Sequence, residues 1–168
     1  MTKQFIATIC ILGLVGMVVG VVAKADTADV AATVTPELIS VTVDVTSVAY
    51  GIVPLSTVDD APDPDSVIIP TNDGNVTVKL DIRGANSTTW TLSSTAVGAN
   101  TFMHKFGLWD GANLGALTAL DSVAYAVLTA SVAPGVAGDD FKLRLSTPDS
   151  TTAYAEEGTT VTVLATKL

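Results

Sequence analysis

Four carboxylates stand within seven positions at Asp59, Asp60, Asp63 and Asp65. Hard oxygen donors at that density are the ligand type Ca²⁺ prefers, and an exported protein meets Ca²⁺ at high concentration. The spacing departs from an EF-hand loop, which needs a central Gly and a terminal bidentate Glu. The same residues therefore read first as a solvated acidic loop, and a structural Ca²⁺ is the one cofactor for which the chain offers ligands. Two further pairs, Asp139-Asp140 and Glu156-Glu157, are of the type that a glycosidase sets on either side of a bond. Adjacent carboxylates in a strand point to opposite faces, so neither pair suffices alone. No enzymatic activity is expected, and no catalytic residue is assigned.

His104 lies in Met103-His104-Lys105-Phe106, where alternation puts it on the side of Phe102 and Phe106, near the core. A lone histidine there reads as hydrogen-bonded structure. Among the aromatic residues, Trp90, Trp109, Tyr50, Tyr125 and Tyr154 are candidates for a platform that stacks on sugar rings. Trp90 shares its parity with Leu92 and belongs to the core side. Trp109, next to Asp110-Gly111 at a strand end, is the one expected to be partly exposed and to contact a polysaccharide. One Cys and one His in 168 residues exclude a thiolate zinc site, a Cys-His nucleophile pair and an Fe–S centre. Eight Lys and Arg against 17 Asp and Glu, a net charge of −9, repel a phosphate backbone, so nucleic acid is excluded as a partner.

The first 25 residues read as a secretory signal peptide. Lys3 precedes an unbroken apolar stretch, Phe5–Ala23, and Ala23-Lys24-Ala25 places small residues at the −3 and −1 positions of a cleavage site. A transmembrane anchor competes, since a span needs about 20 apolar residues, but Gly13, Gly16 and Gly20 and the small-residue exit favour cleavage. Cys10 lies inside the apolar run, which argues against a lipoprotein. Membrane contact is thus expected only through this segment before cleavage. Removing Lys3 and Lys24 takes the net charge from −9 to −11. It also removes the only cysteine, so the mature domain, residues 26–168, must be held by its core rather than by disulfides.

That domain reads as a series of half-buried strands. Ile39, Val41, Val43 and Val45 alternate with Ser40, Thr42, Asp44 and Thr46, and the period of two recurs at Val76–Arg83, Phe141–Leu145 and Val161–Ala165. Weaker candidates are Thr88–Ser93, Thr101–Trp109 and Val123–Ala130, for about eight to ten strands in all. Turn residues fall between them, as at Asn72-Asp73-Gly74, Gly84-Ala85-Asn86, Asp110-Gly111 and Pro134-Gly135. Sheets with one wet face are antiparallel and bury their dry faces against each other. The expected fold is all-β, an antiparallel β-sandwich of immunoglobulin-like or jelly-roll topology preceded by the signal-peptide helix, with a closed barrel as the alternative. Thr57–Asp65, acidic and stiffened by Pro62 and Pro64, is expected to be a solvated loop and not a central strand.

Tyr50-Gly51-Ile52-Val53-Pro54-Leu55-Ser56 resembles the aromatic-Gly-x-x-Pro-Leu-Ser signature of spore-coat-U-like and related pilin-type secreted domains. Val76-Thr77-Val78 through Trp90-Thr91-Leu92 is similar to the first half of WxL-type cell-surface domains, whose second Trp-x-Leu is replaced here by Thr160–Leu164. Both resemblances imply a bacterial extracellular β-sandwich of structural or adhesive role. The expectation is a Sec-exported, extracellular or cell-surface coat or fibre subunit that associates with itself or with other surface proteins; a non-catalytic carbohydrate-binding module is the alternative. The mature N-terminus supplies the means. Val30 and Val34 lie on one side of an alternating arm, Asp26–Thr35, that Pro36 separates from the next strand. Such an arm can add as a strand to an open edge of another copy or serve as the first strand of its own.

Overall fold

The computed structural model describes residues 28–60 and 66–168, and those residues are all-β. The signal-peptide reading of residues 1–25 lies outside them, as do Asp63 and Asp65. The chain divides into two compact units, Met1–Thr35 and Pro36–Leu168. In the first, residues 28–35 have no secondary structure and are exposed throughout.

The second unit carries ten strands among its described residues: β1 (Thr42–Val43), β2 (Val58–Asp60), β3 (Pro70–Thr71), β4 (Val78–Arg83), β5 (Thr91–Leu92), β6 (Thr101–Leu108), β7 (Thr118–Ala119), β8 (Ala126–Val132), β9 (Phe141–Ser146) and β10 (Thr162–Lys167). They form a two-stranded sheet β1-β3, a three-stranded sheet β10-β4-β8 and a five-stranded path β2-β9-β6-β5, with β7 also on β6. Every pairing is antiparallel except β5 with β6, which is parallel.

The alternation at Val78, Leu80 and Ile82 makes β4 the centre of its sheet, with all three side chains fully buried. They share one apolar cluster with Phe102 and Phe106 of β6 and Phe141 and Leu143 of β9, so residues of both larger sheets meet in the same core. Phe106 and Phe141 pack edge to face with ring centroids 6.4 Å apart. Each such side chain contributes about 1.5–3 kcal/mol by leaving water, and together they oppose the chain entropy lost on folding.

Four local expectations are corrected. Of the strand anticipated at Ile39–Thr46, only Thr42–Val43 pairs, opposite Thr71 and Pro70. Pro70 has no N–H to extend a ladder, and the Asp44 side chain instead accepts the Ile69 N–H at 2.7 Å. The alternation survives without the ladder, since Val41, Val43 and Val45 lie half-buried against the core. Val58–Asp60, placed in a solvated loop, is an edge strand in register with Ser146–Arg144; an edge tolerates the acidic, proline-flanked sequence that a central position does not. The sheets are not wholly antiparallel, because Ser93–Asn100 turns back through a Gly98–Thr101 bridge, with Asn100 at φ +51°, to bring β6 beside β5 in the same direction. Finally Lys142, which the alternation with Phe141 and Leu143 puts on the wet face, is only 5% exposed.

Candidate functional site

Beyond Leu108, strand β6 runs into Trp109 and a tight loop. The Asp110 carboxylate accepts the N–H groups of Ala112 at 2.8 Å and Asn113 at 2.6 Å, a turn that Asp and Asn favour for this reason. Gly111 completes it at φ +91°, a backbone conformation that a side chain disfavours. Trp109 then bridges to Leu114, and Gly115 donates its N–H to the Leu108 carbonyl at 2.8 Å. The chain folds back this closely because residue 107 is glycine: a Cβ there would stand 2.8 Å from Leu114 Cδ1 and 3.1 Å from the Gly115 carbonyl oxygen.

On the other side, the Trp109 N–H donates to the Asp140 carbonyl at 2.8 Å, which brings the Asp139-Asp140 pair beside the indole. Lys142 stands opposite Gly107 in the β6–β9 ladder, and its Nζ lies over the Trp109 ring, 3.7 Å from the centroid. The indole covers the ammonium and contributes to its burial. A depression of about 330 Å³ opens beside the ring, lined by Leu108, Trp109, Asp110, Asn113, Asp139 and Asp140. The two backbone hydrogen bonds to Asp110 hold its carboxyl below the usual carboxylate range. Trp109 is half-buried, as a partly exposed ring should be.

The remaining aromatic residues do not join it in a platform. Trp90 is half-buried, tilted against Phe102 at 6.2 Å, with its Nε1 donating to Thr151 Oγ1 at 2.8 Å, in keeping with its core-side parity. The Glu157 carboxylate, which accepts hydrogen bonds from Ser87 Oγ and the Thr89 N–H, ties down the turn before Trp90 and is itself held below the usual range by those bonds. Tyr125 lies under the Arg83 guanidinium at 4.8 Å, and Tyr154 is exposed.

His104 is 4% exposed, on the side of Phe102 and Phe106 as expected. Its Nε2 meets the Tyr50 hydroxyl at 2.9 Å, and its buried Nδ1 has no hydrogen-bond partner among the described residues. Burial lowers its pKa from 6.5 to about 4, which keeps the ring neutral at physiological pH. Of the four carboxylates offered for Ca²⁺, Asp59 is half-buried in the edge strand β2, Asp60 closes that strand, and Asp63 and Asp65 lie outside the described residues. Among the described residues no group of three or more His, Cys, Asp or Glu is placed to hold a metal ion.

The third candidate surface is the arm with its surroundings. Val30 is 91% and Val34 88% exposed. The chain enters the second unit at Pro36, where Asn75 acts as a clamp. Its Nδ2 donates to the Pro36 carbonyl at 2.8 Å, its Oδ1 accepts the Leu38 N–H at 2.7 Å, and its own N–H donates to the Leu38 carbonyl at 3.0 Å. Gly74 leaves the Leu38 carbonyl room that a Cβ would fill, and Lys167 of β10 pairs with Glu37 at 2.6 Å. Strand β10 is an end strand of its sheet and runs in unbroken register with β4 from Thr162 to Lys167, whereas β8 on the other side shifts register twice. Val161, Val163 and Ala165 are only partly buried against the core. The Asn72-Asp73-Gly74 turn is legible in the sequence but the clamp at Asn75 is not, because a side chain that mimics a strand partner across 37 positions leaves no local pattern. Comparisons of the chain with family models, with curated proteins and with solved structures yield no match.

Proposed function

We propose that the protein is an exported cell-surface β-sandwich whose work is contact, as a coat, fibre or adhesive subunit. The sandwich reading rests on the shared core, in which Val78, Leu80 and Ile82 of one sheet and Phe102, Phe106, Phe141 and Leu143 of the other belong to one cluster. Export rests on the basic, apolar and small-residue succession of residues 1–25. The resemblance of Tyr50–Ser56 to secreted coat and pilin-type domains agrees with both.

The observation that carries the contact reading is an arm, residues 28–35, exposed along its whole length and without a hydrogen bond among the described residues, in a chain whose β10 is an end strand of its sheet in unbroken register with β4. Alternating apolar residues that stay in water gain by pairing elsewhere, and a sheet edge offers main-chain donors and acceptors to do it. Strand addition between copies uses both: the arm lays Val30 and Val34 toward the half-covered Val161, Val163 and Ala165 of a neighbour. Size-exclusion chromatography of residues 26–168 beside residues 36–168 tests this. The longer protein associates with rising concentration and the shorter does not; two monomers of the same behaviour would remove the proposal.

A further inference from the structure

We infer that the depression beside Trp109 binds an uncharged sugar ring. This inference is independent of the arm. Lys142, beneath the indole at 3.7 Å from its centroid, does not line the depression, so the ammonium occupies one side of the ring and the depression borders what remains open. A second cation on the same π-system would be repelled by the first. An anion is repelled by Asp110, Asp139 and Asp140 at the rim. The open part of the ring therefore suits a neutral, weakly polarised surface, which is what the C–H face of a pyranose presents.

The rim supplies what the edge of such a ring requires. Sugar hydroxyls are donors in search of acceptors, and the side-chain carboxylates of Asp139 and Asp140 make no hydrogen bond or ion pair among the described residues. The wall is also set in advance. Gly107 admits Leu114 and Gly115 behind the loop, Asp110 closes the turn, and Lys142 fixes the indole, so little ordering remains to oppose binding. The depression, about 330 Å³ and open to solvent, has room for one ring of a longer chain laid against the surface.

The two tryptophans make a direct test. In a ¹H–¹⁵N spectrum of residues 26–168, the Trp90 indole N–H, tied to Thr151, serves as an internal reference for Trp109. The probes are trisaccharides of glucose, mannose, galactose, rhamnose and N-acetylglucosamine, each raised to about 10 mM, with tetramethylammonium chloride and sodium phosphate as controls. At least one trisaccharide is expected to move the Trp109 signal to saturation while Trp90 stays in place. Binding should weaken about tenfold or more in Trp109→Ala, and likewise in Asp139→Ala/Asp140→Ala, which keeps the indole and its support. No shift with any of the five sugars, a shift with tetramethylammonium alone, or sugar binding that survives both variants would overturn the inference.

Discussion

The Tyr50 hydroxyl meets His104 Nε2 at 2.9 Å across 54 positions of the chain. The contact fastens the segment after β1 to the inner side of β6, where Tyr50, His104, Phe102 and Trp90 follow one another at centroid separations of 5.8, 6.4 and 6.2 Å. The contact joins two polar groups within a row of stacked rings, and it leaves Nδ1 of the same imidazole buried without a partner among the described residues.

That histidine makes folding sensitive to acid. Its pKa is about 4 in the folded protein against 6.5 when solvated, so the unfolded chain binds the extra proton first. Stability is complete above about pH 6.5 and falls as pH drops toward 4, by about 3 kcal/mol in all from this group. Urea unfolding at pH 7 and pH 4.5 reads it. His104→Phe should flatten most of that slope, and an equal slope in the variant would assign the loss to other groups. The carboxyls of Asp110, Asp121 and Glu157, held low by hydrogen bonds, add their own loss at still lower pH and are common to both proteins.

Tyr50→Phe removes the hydroxyl and keeps the ring. The expected cost is about 1 kcal/mol at pH 7, read as a lower urea midpoint with unchanged slope. A neutral result would mean that His104 finds another partner at no cost.

Asn72 is fully buried, and its amide donates to the Val76 carbonyl at 2.9 Å and the Val132 carbonyl at 3.0 Å while Oδ1 accepts the Gly74 N–H at 3.0 Å. Asn72→Ala strands these groups away from water and should cost about 2–3 kcal/mol. Asn75→Ala, at an exposed position, should cost about 1 kcal/mol yet speed hydrogen exchange at the Leu38 amide, which the Asn75 side chain holds. Unchanged exchange there would contradict the clamp.

Gly107→Ala tests how the Trp109 wall is built. Leu114 Cδ1 can swing away, but the Gly115 carbonyl at 3.1 Å is backbone and must shift. The cost is about 1–2 kcal/mol, with a displaced Trp109 emission. Gly111→Ala meets nothing within 4 Å, so its penalty comes only from φ +91° and stays near about 1 kcal/mol. Equal emission spectra for Gly107→Ala and the parent would show that the loop does not depend on that space.

The strands that alternate without interruption were legible in the residues. Val78, Leu80 and Ile82 are the clearest case, and the core-side parity of Trp90 and His104 followed from the same period. What was not legible depends on partners distant in the chain. The burial of Lys142 needs Gly107 across the ladder and Trp109 beyond it; the brevity of β1 comes from Pro70 falling opposite Val43; the parallel course of β5 comes from a turn at Asn100 whose φ no pattern announces. For the candidate sites, residue type and position pointed to Trp109 and the arm valines as expectations, but the depression, with Asp110 and Asp139-Asp140 gathered at one indole, is a product of tertiary structure.

Association through the arm is read by sedimentation velocity of residues 26–168 beside a Val30→Asp/Val34→Asp variant. Both valines are exposed, so the substitutions leave the fold intact while adding two charges where apolar contact is needed. Species that grow with concentration are expected for the parent and a monomer for the variant. A parent that stays monomeric at the highest concentration, or a variant that associates equally, would contradict it.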